Sequence, residues 1–168
     1  SISSIEESQL ACCAIANLVE AAGNMSLVVN HGCIPVLIRA LDSESEQVQR
    51  ESARAIGNLA VNMDYCDLII KHGATKSLVA CFQSRNCECQ RMAAMTLSNI
   101  SSNLKSHAEL LEKDILNLVK IECLASLDPK RFSDHETARF CILIVSNLTG
   151  GKQNHSYMGS FFDILMDF

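Results

Sequence analysis

The stretch that decides the fold is VQRESARAIGNLA at residues 48–60, together with its close copy CQRMAAMTLSNIS at residues 89–101. In both, apolar side chains recur three and four residues apart, which is the spacing of one face of an α-helix. Both end in a small residue followed by Asn and then by Leu or Ile. This ending occurs four times in the chain: Ala16-Asn17-Leu18, Gly57-Asn58-Leu59, Ser98-Asn99-Ile100 and Ser146-Asn147-Leu148. The chain is therefore predicted to be built from a repeated helical unit.

The spacing of the asparagines sets the length of the unit. Asn17, Asn58 and Asn99 are 41 residues apart, and Asn147 follows after 48 residues. Two further columns keep this spacing. The first holds residue types that cap helix N-termini, 13 positions before each Asn: Ser4, Ser45, Asn86 and Asp134. The second holds residues at the end of a short helix: Gly32, Gly73 and Asp114.

Each unit is predicted to contain a short first helix, a second helix after the Gly and a longer third helix that ends past the Asn. The predicted ranges are 27–31 and 66–72 for first helices, 34–41 and 75–83 for second helices, and 4–22, 45–62, 86–103 and 134–150 for third helices. The fourth unit has seven extra residues, which we place at 127–133 because Pro129 does not fit a helix interior.

The expected fold class is all-α, a right-handed α-α superhelix of about three full repeats with a partial repeat at each end. One domain, residues 1–168, divides into units at about 1–24, 25–64, 65–106, 107–154 and 155–168. Residues 161–168 look like the start of a second helix. Because terminal repeats of a solenoid need polar caps, the apolar ends predict a fragment of a longer array, or an end buried by another chain.

The composition excludes several classes of protein. Apolar residues make up 48% of the chain against a net charge of -5, which describes a globular core and not a disordered tail. The acidic balance disfavours binding to nucleic acid, and no apolar stretch reaches the length of a membrane span. Nine cysteines, an odd number, favour reduced thiols. We therefore expect a cytoplasmic protein, with the nucleus as a second location.

Motifs of catalysis are not found in the sequence. Cys87 and Cys89 form a Cys-x-Cys pair, but no second Cys pair or His stands at the spacing of a zinc site. Five other cysteines fall at apolar helix positions, which is typical of core thiols: Cys12, Cys66, Cys81, Cys123 and Cys141. There is no glycine-rich phosphate loop. We expect neither an enzyme nor a bound metal or cofactor.

The unit resembles the armadillo repeat, of the β-catenin and vacuolar-adaptor kind. The resemblance rests on the period near 41, the three helices, the Gly after the first helix and the small-Asn-Leu/Ile ending. It covers nearly the entire chain and is strongest at residues 48–60 and 89–101. It implies an armadillo solenoid whose third helices line a concave groove, and a scaffold that binds a protein or an extended peptide there.

The resemblance also implies that the asparagine column faces the groove and bonds the backbone of the bound peptide. The column consists of Asn17, Asn58, Asn99 and Asn147. A side-chain amide offers two N–H donors and an oxygen acceptor, so it can bond a peptide backbone of any sequence. The alternative is that these amides bond the backbone of their own or a neighbouring repeat, since Asn is a poor helix former.

Basic side chains precede the asparagines on the same helical face. Positions four and eight residues before an Asn lie within about 80° of it around the helix. These positions include Arg50, Arg54, Arg91, Met95 and Arg139. A row of guanidinium groups predicts an acidic or phosphorylated peptide as the ligand. Two alternatives are that Arg50 pairs with Glu46, four residues earlier, and that the arginines of the later units bond the neighbouring repeat.

Two other functions stay open. Nuclear-import adaptors of this family carry Trp four residues before the groove Asn, where this chain has Cys13, Arg54, Met95 and Leu143. Because Arg54 would repel a basic peptide, the binding of basic nuclear signals is the second interpretation. The third is an oligomeric or structural scaffold that uses helix ends or the convex face, with self-association through the apolar terminal repeats. The beginning of the sequence does not predict an acylated anchor.

Overall fold

Helices joined by short turns make up the protein. A computed structural model describes residues 2–127 and 134–166, and these ranges contain no strand. The α-helices are α1 (Ile2–Glu20), α2 (Ala22–Asn30), α3 (Cys33–Leu41), α4 (Glu46–Ala60), α5 (Met63–Lys71), α6 (Ala74–Phe82), α7 (Cys87–Ser101), α8 (His107–Glu112), α9 (Ile115–Leu127), α10 (His135–Thr149) and α11 (His155–Met166). Short 3-10 helices at Leu104–Ser106 and Lys152–Asn154 precede α8 and α11.

The helices form two layers that follow the predicted unit. The third helices α1, α4, α7 and α10 stack side by side, each against the next. The second helices α3, α6 and α9 pack on the third helix of their own unit, which is α4, α7 and α10 in turn. The first helices α2, α5 and α8 connect one unit to the next. The predicted all-α solenoid is therefore confirmed.

The core lies between the two layers and repeats with the unit. Leu37, Leu78 and Val119 occupy the same position in successive second helices, and all three are fully buried. Leu59 and Ile100 hold the equivalent position in successive third helices and are also fully buried. Burying one such aliphatic side chain contributes about 1.5–3 kcal/mol. The 41-residue apolar register is thus the main source of the fold's stability.

Helix caps follow the predicted column in part. The hydroxyl of Ser45 accepts a hydrogen bond from the N–H of Val48 at the start of α4, and the side chain of Asn86 accepts from two N–H groups at the start of α7. Asp134 is the N-cap residue of α10 but makes no side-chain cap bond. The prediction for Ser4 is wrong, because α1 already begins at Ile2 and Ser4 lies inside the helix.

The turns between first and second helices need a left-handed backbone. Gly32 has φ 71° and Gly73 has φ 79°, directly before α3 and α6. Asp114, the third member of this column, has φ 57°. L-residues other than Gly, Asn and Asp rarely adopt this conformation, since Cβ approaches the backbone carbonyl. The residue types of the column are therefore set by the backbone conformation.

We expect Gly73→Ala to lower the free energy of unfolding by about 1–2 kcal/mol, because Ala must adopt the left-handed conformation. Gly159→Ala is the matched control, since Gly159 lies on α11 with nothing within 4 Å of an added Cβ. Ala is the better helix former there, so the control should be neutral or stabilising. Urea denaturation measures both variants. Equal free energies of unfolding for the two would contradict this explanation of the Gly column.

The C-terminal part differs from the prediction. A second helix was expected to start near residue 161, but α11 runs without a break from His155 to Met166. It occupies the place of a first helix after α10 and continues past the position of Gly32 and Gly73 in the earlier units. The loop predicted at 127–133 lies outside the described residues, apart from Leu127, which ends α9.

A test of length and composition bears on the prediction that the chain does not insert into a membrane. Within the described ranges, a single helix that is both long and apolar enough to cross a bilayer does not occur. The helix pair Gly23–Asn30 and Cys33–Leu41 meets the test only when the two are taken together, and they are bent by 83°.

Candidate functional site

The asparagines of the column lie on neighbouring third helices and tie these helices together. In each later unit the side-chain N–H group donates to a backbone carbonyl of the preceding third helix, one residue before that helix's own Asn. The pairs are Asn58 with Ala16 at 3.3 Å, Asn99 with Gly57 at 3.0 Å and Asn147 with Ser98 at 3.0 Å. The alternative role, bonding to a neighbouring repeat, is therefore what the structure shows for these N–H groups.

These bonds leave only part of each amide for a partner. Asn147 also donates to the hydroxyl of Ser101 at 3.0 Å, so both of its N–H groups are used. Asn58 and Asn99 each retain one N–H group. Among the described residues, the three amide oxygens accept no hydrogen bond, and none of them is buried. A partner's N–H groups can therefore reach three acceptors that recur once per unit.

Asn17 differs from the other members of the column. Its side-chain oxygen accepts a hydrogen bond from the Arg54 guanidinium at 2.8 Å. Its N–H group contacts the sulfur of Cys13 at 3.9 Å. The oxygen that would accept from a peptide backbone is thus occupied by the chain itself. The N-terminal end of the column is closed by an internal contact.

Arg50 and Arg54 converge on one buried carboxylate. Glu51, whose side chain is 8% exposed, accepts two hydrogen bonds from Arg50 at 3.1 and 2.8 Å, and two from Arg54 at 3.1 and 3.0 Å. Arg50 also pairs with Glu88 on α7, and these carboxylates raise the pKa of its guanidinium above the ordinary value. Arg54 also pairs with Glu20 on α1 at 2.7 Å. Both arginines therefore bridge adjacent third helices.

The expected partner of Arg50 is corrected by these contacts. Glu46 instead accepts hydrogen bonds from Asn86 and Ser84, at 3.0 and 3.4 Å. Nothing in the sequence pattern pointed to Glu51, because the equivalent position of the next unit is Met92. Glu88 could have been found from the period, since it precedes Arg91 by three residues and so lies opposite Arg50 when third helices stack side by side.

Arg91 and Arg139 keep more of their donors. The Arg91 guanidinium is 3.6 Å from the carboxylate of Asp134 on α10, beyond hydrogen-bond distance, and its side chain is 34% exposed. This is the contact with a neighbouring repeat that was the alternative for Arg91. Arg139 donates a single bond, at 2.8 Å, to Glu136 on its own helix, and its side chain is 72% exposed. Accessible guanidinium donors are thus concentrated at α7 and α10.

Apolar side chains accompany these arginines. Met95 is half-buried, and its terminal methyl lies over Gly57 of the preceding third helix. Leu143, four residues before Asn147, is exposed. The surface of α7 and α10 therefore combines amide oxygens, guanidinium groups and apolar contact area. We call the six residues Met95, Asn99, Arg91, Arg139, Leu143 and Asn147 the C-terminal stripe.

Cysteine and metal chemistry do not add to this surface. The nine thiols are free, and burial raises the pKa of Cys12 and Cys66. Cys81 and Cys141 are buried as expected, while Cys123 is half-buried. In the described part of the chain there is no cluster of three His, Cys, Asp or Glu side chains that could hold a metal ion.

We expect Asn99→Ala to lower the free energy of unfolding by about 1 kcal/mol, because the bond between α7 and the Gly57 carbonyl is lost. Asn117→Ala is the control, since Asn117 is exposed on α9. It should be neutral or slightly stabilising, because Ala is the better helix former. Urea denaturation compares the two. A loss at position 99 no larger than that at position 117 would contradict the structural role of the column.

Comparisons with known proteins follow the same register. The family described as Armadillo/beta-catenin-like repeat matches residues 23–61 and 62–102. No curated protein matches the chain significantly.

Solved structures with this fold include computationally designed armadillo repeat proteins for modular peptide recognition, with a TM-score of 0.83, 20% identity, and coverage of 93% of this chain and 64% of that one. A designed armadillo repeat protein in complex with the peptide (KR)4 has a TM-score of 0.71 and 24% identity, over 83% of this chain and 57% of that one. The chain thus spans less than two thirds of the length of these structures.

Proposed function

We propose, from the premise that the chain belongs to the armadillo-repeat family, that it is a non-catalytic scaffold that holds an extended peptide segment along its third helices. The observation that carries this proposal is the set of three solvent-accessible amide oxygens, on Asn58, Asn99 and Asn147, that recur once per unit. An extended peptide presents N–H groups at regular intervals, so successive units can bond it without regard to its sequence. The names of the similar structures, which state peptide recognition, support the same function.

The ligand that we propose is acidic or phosphorylated, and the C-terminal stripe recognises it. Arg50 and Arg54 have their donors directed at internal carboxylates and serve to join the units. Arg91 and Arg139 retain free N–H groups on an accessible surface, and a guanidinium binds a carboxylate or phosphate through two parallel bonds. We therefore assign specificity to these two arginines and cohesion to the other two.

A basic peptide is the second candidate ligand. Glu20 and Glu88 are exposed on the same layer of helices and could pair with Lys or Arg side chains. The structure named as a complex with (KR)4 shows that a designed protein of this fold holds a basic peptide. Binding of a basic segment here would compete with the internal pairs of Arg50 and Arg54, which use the same carboxylates.

Fluorescence anisotropy with three labelled ten-residue peptides tests the proposal. The probes are an alternating Asp-Ser peptide, the same peptide with phosphoserine, and an alternating Lys-Arg peptide. We expect the first two to bind with an affinity that falls as salt rises. The double variant Arg91→Gln, Arg139→Gln should weaken them about tenfold or more, because each lost bidentate pair contributes roughly 1.5–3 kcal/mol.

Arg39→Gln is the matched control, since it makes the same change of charge on an exposed residue of the second helix α3. It should leave the affinity unchanged. Tighter binding of the Lys-Arg peptide would favour the second candidate. An equal loss in the control and in the double variant would remove the C-terminal stripe as the binding site.

A further inference from the structure

An apolar groove opens between α1 and α3, on the layer of second helices. It encloses about 380 Å³ and is lined by Cys12 and Ile15 of α1, by Val36 and Ala40 of α3, and by Val48 at the start of α4. We call this groove the α1–α3 seat. It lies away from the arginines and asparagines described above and does not rest on the proposed peptide binding.

The repeat provides an internal comparison for this seat. Ile15 corresponds to Ile56, and Val36 corresponds to Ser77, at the 41-residue spacing. Ile56 is fully buried, whereas Ile15 is only half-buried. The contrast is larger on the second helix, where Val36 is 48% exposed and Ser77 is 8% exposed. The same groove is therefore covered between α4 and α6 but open between α1 and α3.

The helix that covers the α4–α6 groove is α3. The hydroxyl of Ser52 on α4 donates to the carbonyl of Leu37, and the thiol of Cys81 on α6 donates to the carbonyl of Leu41 at 3.6 Å. The residues of α3 that are buried follow the spacing i, i+3, i+4, i+7: Ile34, Leu37, Ile38 and Leu41. The fold thus shows which kind of helix this groove accepts and which way its apolar face points.

We propose that the α1–α3 seat binds the second helix of a further armadillo unit stacked against α1. Its occupant is an amphipathic helix of about nine residues with the apolar spacing of α3. An exposed Val in the centre of the seat supports this assignment, because a helix with that spacing would bury Val36 together with Ile15, as Ser77 and Ile56 are buried one unit later.

An extended variant tests the proposal. A second copy of residues 33–44 is placed directly before Ser4, in place of residues 1–3, because Ser4 corresponds to Ser45 and the copy then joins α1 as α3 joins α4. We expect the melting temperature to rise by about 4 °C or more. Amide hydrogen exchange of residues 8–15 should slow tenfold or more, since the seat is covered.

The control is the same extension with Leu37→Asp and Leu41→Asp introduced in the added copy only. It should leave the melting temperature and the exchange rates at the values of the unextended chain. An extension without effect, or an equal rise with both versions, would overturn the proposal. So would a dimer of the unextended chain, detected by sedimentation velocity, that the extension abolishes, because a second copy would then be the occupant.

Discussion

Replacing Arg50 and Arg54 together by Met is expected to lower the free energy of unfolding by about 3–5 kcal/mol, which is the usual cost of removing the partners of a buried charge. The double variant leaves the Glu51 carboxylate, which is buried against α4, without any of its four hydrogen bonds. It also removes the bridges from α4 to Glu88 on α7 and to Glu20 on α1. Urea denaturation followed by circular dichroism measures this loss.

Two further variants separate this explanation from a general effect of removing charge. Arg139→Met removes one exposed pair and should change the free energy of unfolding by about 1 kcal/mol or less. The triple variant Arg50→Met, Glu51→Met, Arg54→Met removes the buried carboxylate as well and should recover much of the loss, since apolar replacement of a whole buried cluster is often neutral. A triple variant less stable than the double variant would contradict the role that we give to Glu51.

The second large effect is expected at Gly57, on the face where α4 meets α7. A Cβ at this position would lie 2.7 Å from the hydroxyl of Thr96 and 2.7 Å from the terminal methyl of Met95. Met95 can move, but the Thr96 hydroxyl is held by bonds to the carbonyls of Ala53 and Met92, at 2.7 and 2.8 Å. We expect Gly57→Ala to lower the free energy of unfolding by about 1–3 kcal/mol, and Gly57→Val by more.

The control for this effect is Gly23→Ala. Gly23 lies on α2 with nothing within 4 Å of an added Cβ, so Ala should be neutral or stabilising there. In a Thr96→Ala background, where the obstructing hydroxyl is gone, the cost of Gly57→Ala should shrink. A cost that stays the same in that background would show that Thr96 does not set the size of the residue at position 57.

The positions of the helices could be predicted because the apolar columns are repeated. Each predicted third helix from α4 onward begins and ends within two residues of the observed one, since Ser45 and Asn86 cap the helices locally. Local chemistry also explains the miss at Ser4. A Ser can lie inside a helix as well as cap it, and α1 begins two residues earlier.

The partners of the site residues could be predicted only in part, because they come from other units. Asn99 bonds a carbonyl 42 residues earlier, and backbone carbonyls carry no signal in the sequence. The carboxylates that hold Arg54 lie on two helices, at Glu20 and Glu51, and Glu51 has no acidic equivalent in the next unit. A column of arginines therefore looked like a continuous basic surface, while the structure divides it into paired and accessible members.

The central claim is that the third-helix surface from Asn58 to Asn147 holds the peptide, with Arg91 and Arg139 as its specific contacts. Nuclear magnetic resonance of the labelled protein, titrated with the phosphoserine peptide, tests it most directly. The account predicts that the side-chain amide signals of Asn58 and Asn99 and the guanidinium signals of Arg91 and Arg139 shift during the titration, while exposed residues of α3 and α6 do not. Shifts confined to the second helices, with those four side chains unchanged, would contradict it.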